Sequence, residues 1–274
     1  MKRIVVLAKQ VPDTANISGD AMKADGTVNR AALPAIFNPE DLNALEMALT
    51  IRDRIGAEVH VITMGPPKAV EILKHALYMG ADDVGLITDR RFAAADTLAT
   101  SYVLAAAIRK IGAVDLVLAG RQAIDGDTAQ VGPQVAEKIG FNQVTYVSAL
   151  REVNDNFLIV ERDGEVQTEV IKTAYPVLLT VCADANTPRF PNCRRMLRFF
   201  RVDMNDGSGV IPVMNMDDLG LEEERCGLKG SPTRVHKIKS IMLKGGELKM
   251  YGTEATDIRQ LVRDIMKDYV EVSG

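Results

Sequence analysis

Tryptophan is missing from this chain, and cysteine and histidine occur only 3 times each. Cys182, Cys193 and Cys226 are far apart and odd in number, which excludes a disulfide framework and offers no zinc-ligand spacing. His60 falls in a strand-like run, His75 in the helical pattern after it and His236 near the end, so the spacing supports neither a histidine triad nor a histidine metal site. The dinucleotide fingerprint G-x-G-x-x-G does not follow the first strand-like run, and the P-loop and the G-x-S-x-G elbow are also lacking. Positive charge is not in excess: the net charge is -4 and the pI near 5.5, which argues against nucleic-acid binding through bulk charge. No apolar run approaches the length of a membrane span. Met1-Lys-Arg leads straight into Ile4-Val-Val-Leu-Ala8, too short for a signal-peptide core, so an intracellular, cytoplasmic protein is expected.

With 47% hydrophobic and 26% charged residues the chain has the balance of a globular protein. Its length suits one large α/β domain, alone or with an appended lobe or arm. One stretch organises the rest. Asp115-Leu-Val-Leu-Ala119 has a strand's composition, a polar loop with Gly120 and Gly126 follows, and residues 128–140 read as a helix closed by Gly140. A loop between a strand's carboxyl end and a helix's amino end offers unpaired N–H groups and a positive dipole end to an anion. Gly120 and Gly126 permit close approach or positive φ, and Asp127 or Thr128 is expected to cap the helix. Asp125 and Asp127 repel a phosphate unless they cap N–H groups or bind ribose or metal. The stretch therefore reads either as a nucleotide phosphate site or as an ordinary capped turn.

Residues 3–11 alternate too little for a half-exposed strand and read as a central, doubly covered one that ends in a polar loop. Asp25-Gly26 signals a hairpin turn. Asn38 is expected to cap a helix with Pro39 at its first position and Glu40 and Asp41 in its first turn. Leu42, Leu45, Leu49 and Arg52 follow at helical spacing, and Gly56 ends it. Strands at 57–64 and 84–88 alternate with helices that start after Pro66-Pro67 and Asp96-Thr97, the second with Ala99, Tyr102, Val103 and Ala106 on one face. This alternation predicts βαβ units and a doubly wound parallel sheet. Ligands of such sheets lie outside the carboxyl ends of the strands, where the polar loops 9–14, 64–67, 88–97 and 120–131 converge.

Beyond Val144, three short strands separated by Asn154-Asp155-Asn156 and Asp163-Gly164 predict an antiparallel meander, and 177–182 reads as one more strand with Cys182 buried at its end. Residues 188–201 mix five arginines with three phenylalanines, either as a partner surface or as a core helix with arginine stems packed along it. A turn is expected at Gly245-Gly246. Residues 253–270 have the spacing of a helix with Ile258, Leu261, Ile265 and Tyr269 on one apolar face.

Six motifs, in this order along the chain, resemble those of the beta subunit of electron-transfer flavoprotein. They are Lys9-Gln-Val-Pro-Asp-Thr14, Asn38-Pro39 with its acidic helix start, Val61-Ile-Thr-Met-Gly-Pro66, Ala76-Leu-Tyr-Met-Gly-Ala-Asp82, Asp96-Thr-Leu-Ala-Thr-Ser101 and the loop 120–133. The resemblance is strong over residues 1–182 and looser beyond. It implies an α/β fold, a doubly wound, mostly parallel sheet of the adenine-nucleotide alpha-hydrolase-like kind with an antiparallel extension and a C-terminal arm. Residues 1–235 are the implied nucleotide- or FAD-binding domain, and 236–274 the arm laid against an alpha subunit that carries its own FAD. Members hold either AMP or, in the electron-bifurcating group, a second FAD. Gly126-Asp-Thr-Ala-Gln-Val-Gly-Pro133, together with Asp89-Arg90, Phe92 and Asp96-Thr97, is similar to the bifurcating pattern, so FAD is expected here and AMP is the alternative.

Carried onto this sequence, the resemblance implies that Ala8, Lys9, Asn38, Met64, Gly65 and the loop of Gly120 and Gln122 surround the adenosine. Backbone N–H groups of Asp127, Thr128, Ala129, Gln130 and Val131 are implied to face the phosphates, Asp96 and Thr97 the extended part of FAD, and Arg90 or Arg121 its ring. The bifurcating group takes a hydride from NADH. It sends one electron through the alpha-subunit FAD to an acyl-CoA dehydrogenase-type partner and the other to ferredoxin or flavodoxin. The sequence departs from the family after Arg189-Phe190, where Met196-Leu-Arg-Phe-Phe-Arg201 and Asn205-Asp-Gly-Ser-Gly209 replace a lysine-rich stretch. Competing readings are a one-flavin carrier with structural AMP, a subunit that only supports its partner, and an ATP-using or stress-type nucleotide-binding protein. ATP pyrophosphatases show Ser-Gly-Gly after the first strand, where this chain has Lys9-Gln-Val-Pro12.

Overall fold

A computed structural model describes residues 1–13, 34–204, 207–233 and 249–270. The chain runs through β1 (Arg3–Leu7), β2 (Gln10–Pro12), β3 (Ala35–Phe37), α1 (Pro39–Ile55), β4 (Glu58–Met64), α2 (Val70–Met79), β5 (Asp83–Ile87), α3 (Thr97–Ile111), β6 (Leu116–Gly120) and α4 (Val131–Ile139). There follow β7 (Asn142–Val153), β8 (Phe157–Asp163), β9 (Thr168–Ala174), β10 (Val177–Val181), α5 (Cys193–Phe199), β11 (Val213–Met214) and α6 (Ala255–Val270). Among the described residues these strands form a 9-stranded sheet in the order β11-β5-β4-β1-β6-β10-β7-β8-β9, and β2 pairs with β3 apart from it. Every neighbour from β11 to β7 is parallel, whereas β7, β8 and β9 are antiparallel. The expected α/β class with a mostly parallel sheet and an antiparallel extension is therefore observed.

The apolar runs explain why the central strands are covered on both faces. Successive side chains of a strand point to opposite sides. Ile4 and Val6 of β1 enter one core with α1 and α2, and Val5 and Leu7 enter a second with α3 and α4. In the same way Leu116 and Leu118 of β6 join the first core, and Val117 and Ala119 the second. Double coverage makes these strands continuous in Val, Ile, Leu and Ala instead of alternating.

Several local expectations change. The polar loop after β1 is in part a strand, because Gln10, Val11 and Pro12 pair with Phe37, Ile36 and Ala35. The strand at 177–181 does not extend the meander; it turns back and inserts between β6 and β7, parallel to both. On α1 burial extends well beyond the Leu42, Leu45, Leu49 stripe to Asn43, Ala44, Glu46, Met47 and Ala48, since the segment at 186–189 covers its other side. On α3 the buried face is Ala99, Val103, Leu104, Ala107 and Ile108, whereas Tyr102 and Ala106 are only half-buried. Cys182 is buried, as expected.

The chain divides into two compact units, one of residues 1–23 and 28–238 and a smaller one that includes 249–270. The boundary expected at 235/236, the turns at Asp25-Gly26 and Gly245-Gly246, and His236 lie outside the described residues. In the smaller unit α6 begins two residues later than expected and leaves Ile258, Leu261, Val262, Ile265 and Met266 exposed. Tyr251 Oη donates to Asp264 at 2.6 Å, and Gln260 to the same carboxylate at 2.9 Å.

Candidate functional site

β1, β4, β5 and β6 end at one edge of the sheet, and the loops that leave them carry the expected residues. The order changes direction between β1 and β6: the chain leaves β1 for β4 and β5 on one side, while β6 adjoins β10 and β7 on the other. Open α/β sheets place their ligands at such a switch point.

The acidic start of α1 builds this edge. Asn38 has the position of a helix cap, but its side chain makes no capping bond. It reaches instead to the loop after β6, where Nδ2 donates to the Gln122 carbonyl at 2.9 Å and Oδ1 accepts from the Ile124 N–H at 3.2 Å. Glu40 accepts from Arg121 Nη2 and from the Gln122 N–H, each at 2.8 Å. Asp41 accepts from the Lys9 N–H at 2.8 Å and from the Gly120 N–H at 2.9 Å. All three side chains are buried, Asn38 completely. Burial pushes the Asp41 carboxyl up to about 7, against the Lys9 N–H, the Asn38 amide, the Gly120 N–H and the Lys9 charge, which favour its ionised form. Lys9 Nζ crosses to Asp125 at 2.7 Å, so one of the two acids that threatened to repel a phosphate is neutralised.

Gly120 does not take a positive φ. Its glycine is required by close approach, since a Cβ there would lie 2.5 Å from Asp41 Oδ1 and 2.8 Å from the Glu40 carbonyl carbon. Gly126 faces open space and also keeps a negative-side backbone; the positive φ values belong to Asp127 (49°) and Ala129 (52°). The helix starts at Val131 and not at 128, and Gln130 precedes it without a side-chain cap. Neither Asp127 nor Thr128 is therefore the cap. The N–H groups from Thr128 to Val131 have no acceptor among the described residues, and Asp127 and Ala129 hold positive φ values just before the right-handed Gln130. L-residues held there cost about 1–2 kcal/mol each, a strain typical of binding loops.

Ala8 is buried at the end of β1, where its N–H donates to Ile62 O, and Met64 and Gly65 are half-buried at the end of β4. Asp96 is committed within the protein: it caps α3 through the Leu98 and Ala99 N–H groups and accepts from Thr233 Oγ1. Thr97 Oγ1 meets Gln130 Oε1 at 2.9 Å, which links α3 to the phosphate-type loop. Asp89 grips Arg91, and Phe92 is buried beneath this turn. Arg90 is exposed with no partner among the described residues, whereas Arg121 is held by Glu40. Glu40, Asp41 and Asp125 were not among the expected site residues. The signal for Glu40 and Asp41 was their place behind Asn38-Pro39, which reads as ordinary helix-dipole chemistry, and Asp125 stood out only as an acid inside the loop.

A model of the electron transfer flavoprotein domain matches residues 25–219. The chain belongs to the electron transfer flavoprotein family. It is 47% identical over 242 residues to the electron transfer flavoprotein subunit beta of Clostridium acetobutylicum, which covers 88% of this chain and 89% of that protein. It is 46% identical over 257 residues to the caffeyl-CoA reductase-Etf complex subunit CarD of Acetobacterium woodii, covering 93% and 94%. Likeness to the acryloyl-CoA reductase electron transfer subunit gamma of Anaerotignum propionicum is 40% over 278 residues, covering 98% and 99%. The relatives place this electron transfer flavoprotein chain with the beta subunits. No helix among its described residues is long and apolar enough to cross a membrane.

In this flavoprotein loop, Asn38→Ala removes both side-chain bonds to 122–124. A stability loss of about 1–3 kcal/mol is expected, because the Ile124 N–H and Gln122 carbonyl lose their partners. Hydrogen exchange at the Ile124 amide should accelerate markedly in the variant; an unchanged rate contradicts the assignment of Asn38 as the loop's anchor.

Proposed function

We propose that this beta subunit binds FAD at the switch point between β1 and β6. In the assembled complex with an alpha subunit, NADH is the proposed hydride donor. One electron goes through the alpha-subunit FAD to an acyl-CoA dehydrogenase-type partner and the other to ferredoxin or flavodoxin. The observation that carries the reading is the unpartnered N–H run from Thr128 to Val131 beside the pinned strand ends at Lys9 and Gly120. That run fits the phosphates of an adenine dinucleotide. The names of the relatives from coenzyme A reductase complexes favour a dehydrogenase partner that acts on a coenzyme A thioester.

A bound flavin supplies the exchange between two-electron and one-electron chemistry. The chain's own residues bind and orient it. Lys9 and Asp125 neutralise one another in front of the adenosine subsite, so the phosphates meet N–H dipoles without an opposing free carboxylate at 125. Arg90 provides uncompensated positive charge at the same sheet edge for a reduced, anionic ring. The arm that includes α6, with its exposed apolar residues, is proposed to lie on the alpha subunit.

The test is the flavin and AMP content of the co-purified complex after denaturing extraction. Two FAD per heterodimer without AMP is the expected result; one FAD with one AMP overturns the FAD assignment and leaves a one-flavin carrier. As a check on the loop itself, Gly126→Glu should lower FAD retention at least tenfold with stability changed by about 0.5 kcal/mol or less, since nothing lies within 4 Å of a Cβ there.

A further inference from the structure

We infer that Asp41 is the positioning residue of the nucleotide site: its carboxylate fixes the separation between the Lys9 turn and the Gly120 strand end, and a proton on it weakens nucleotide binding. The inference rests on the nucleotide-site reading above.

The last ladder partners of β1 and β6 are Leu7 and Ala119. Beyond them the strands part, and Ala8 donates toward β4 at the Ile62 carbonyl. Asp41 spans the opening, with Oδ2 on the Lys9 N–H at 2.8 Å and Oδ1 on the Gly120 N–H at 2.9 Å. It is 6% exposed, and the Gly120 backbone lies so close that the carboxylate cannot withdraw without breaking these bonds. The segments on either side of this bridge are proposed adenosine contacts, and the one that begins at Gly120 runs on into the proposed phosphate loop. A shift of the bridge therefore moves ligand-binding groups that Asp41 does not itself touch.

The ionised group holds both segments more strongly than the neutral one. A carboxylate presents charged acceptor lone pairs on each oxygen, whereas a carboxyl leaves one N–H facing a weak, neutral hydroxyl oxygen whose O–H must turn away. Lys9 from the end of β1, Arg121 and Asp125 from the loop after β6, and Glu40 from α1 are the charged groups around it. Lys9 is shared with Asp125, and Arg121 with Glu40, so no cation is reserved for Asp41. Burial resists ionisation and carries the carboxyl to about 7, so protonation falls within the physiological range.

Two trends of opposite sign follow. The folded chain holds the proton at a pH where the unfolded chain, with an ordinary aspartate near 3.8, has released it. Stability of the ligand-free chain therefore falls as pH rises between these values. Nucleotide affinity rises as pH passes through about 7, because the bridge is strongest when ionised. A carboxylate that merely supports the fold would move both in the same direction.

The test uses the full-length chain with FAD, whose pyrophosphate keeps its charge across the range. From about pH 6 to about pH 8, the ionised fraction of a group titrating near 7 changes about tenfold, and FAD affinity should rise by a similar factor while the urea midpoint of the ligand-free chain falls. Asp41→Asn faces one N–H with an amide N–H and should bind FAD at least tenfold more weakly with a flat pH profile. A flat wild-type profile, or an Asp41→Asn profile with the wild-type slope, overturns the assignment of Asp41 while the nucleotide site stands. If wild type binds neither FAD nor AMP at any pH, both readings fail. Should Asp41→Asn not fold, the two wild-type trends decide alone.

Discussion

Gly120→Val is expected to destabilise the protein by about 4 kcal/mol and to abolish nucleotide binding. The new Cβ would lie 2.5 Å from Asp41 Oδ1 and 2.8 Å from both the carbonyl carbon and Cβ of Glu40. One of those neighbours is backbone, held by the start of α1, so it cannot step aside as the tip of a long side chain would. Overpacking costs about 1–3 kcal/mol, and forcing Asp41 off the Gly120 N–H leaves buried polar groups unpaired at about 1–3 kcal/mol more. Urea unfolding reads the first part and FAD titration the second. A variant with the wild-type midpoint would show that α1 and β6 are not in the close contact described.

Glu46→Ala is the second large effect. Glu46 is 8% exposed and takes three bonds from Arg189: the backbone N–H at 2.9 Å, Nε at 2.8 Å and Nη2 at 3.0 Å. Arg189 also reaches Asp53 at 2.9 Å. Loss of one partner of a buried pair costs about 3–5 kcal/mol, but Arg189 is partly open to water and keeps Asp53, so about 2 kcal/mol is expected. The local consequence is larger than the global one. The segment that follows, with exposed Phe190, is tied to α2 by Arg195 Nε on the Leu77 carbonyl at 2.6 Å and by the Asn192 N–H on the Tyr78 carbonyl at 2.9 Å. Without its first tether, residues 189–192 should become the preferred site of limited proteolysis. Cleavage at the wild-type rate would mean that Glu46 does not hold this segment.

The basic segment illustrates what the residues alone conveyed. Its composition suited either a partner surface or a packed helix, and the structure bears out the packed helix in part: Phe199 is buried and Arg195 serves α2, while Leu197 and Phe200 stay exposed. The alternation of strands and helices was legible because doubly covered strands are continuously apolar and the helices carry glycine or proline at their ends. The place of β10 was not, since nothing local tells a strand after a meander to return to the middle of the sheet. The bonds that Asn38 and the two acids behind it make to the neighbouring loop were not legible for a related reason. A capping residue followed by acids has the same sequence whether it satisfies its own helix or a neighbouring loop, and only tertiary packing distinguishes the two. The start of α4 was placed three residues early because Asp127 and Ala129 adopt a conformation usually reserved for glycine.

The return of β10 also sets a timetable for biosynthesis. The Arg121 N–H donates to the Val181 carbonyl at 2.9 Å, and β6 has β10 along its entire flank. A chain emerging from the ribosome has made every residue from 121 to 131 long before Val181 appears. Roughly 60 residues separate the two ends of that bond, a few seconds or more of synthesis at about 5–20 residues per second. During that delay the loop proposed to hold the phosphates lacks one wall, and β6 displays an open edge to any other strand nearby. Loading of the proposed cofactor is thus expected late in the life of the nascent subunit, and the newly made sheet depends on its final central strand, not on its first, to close.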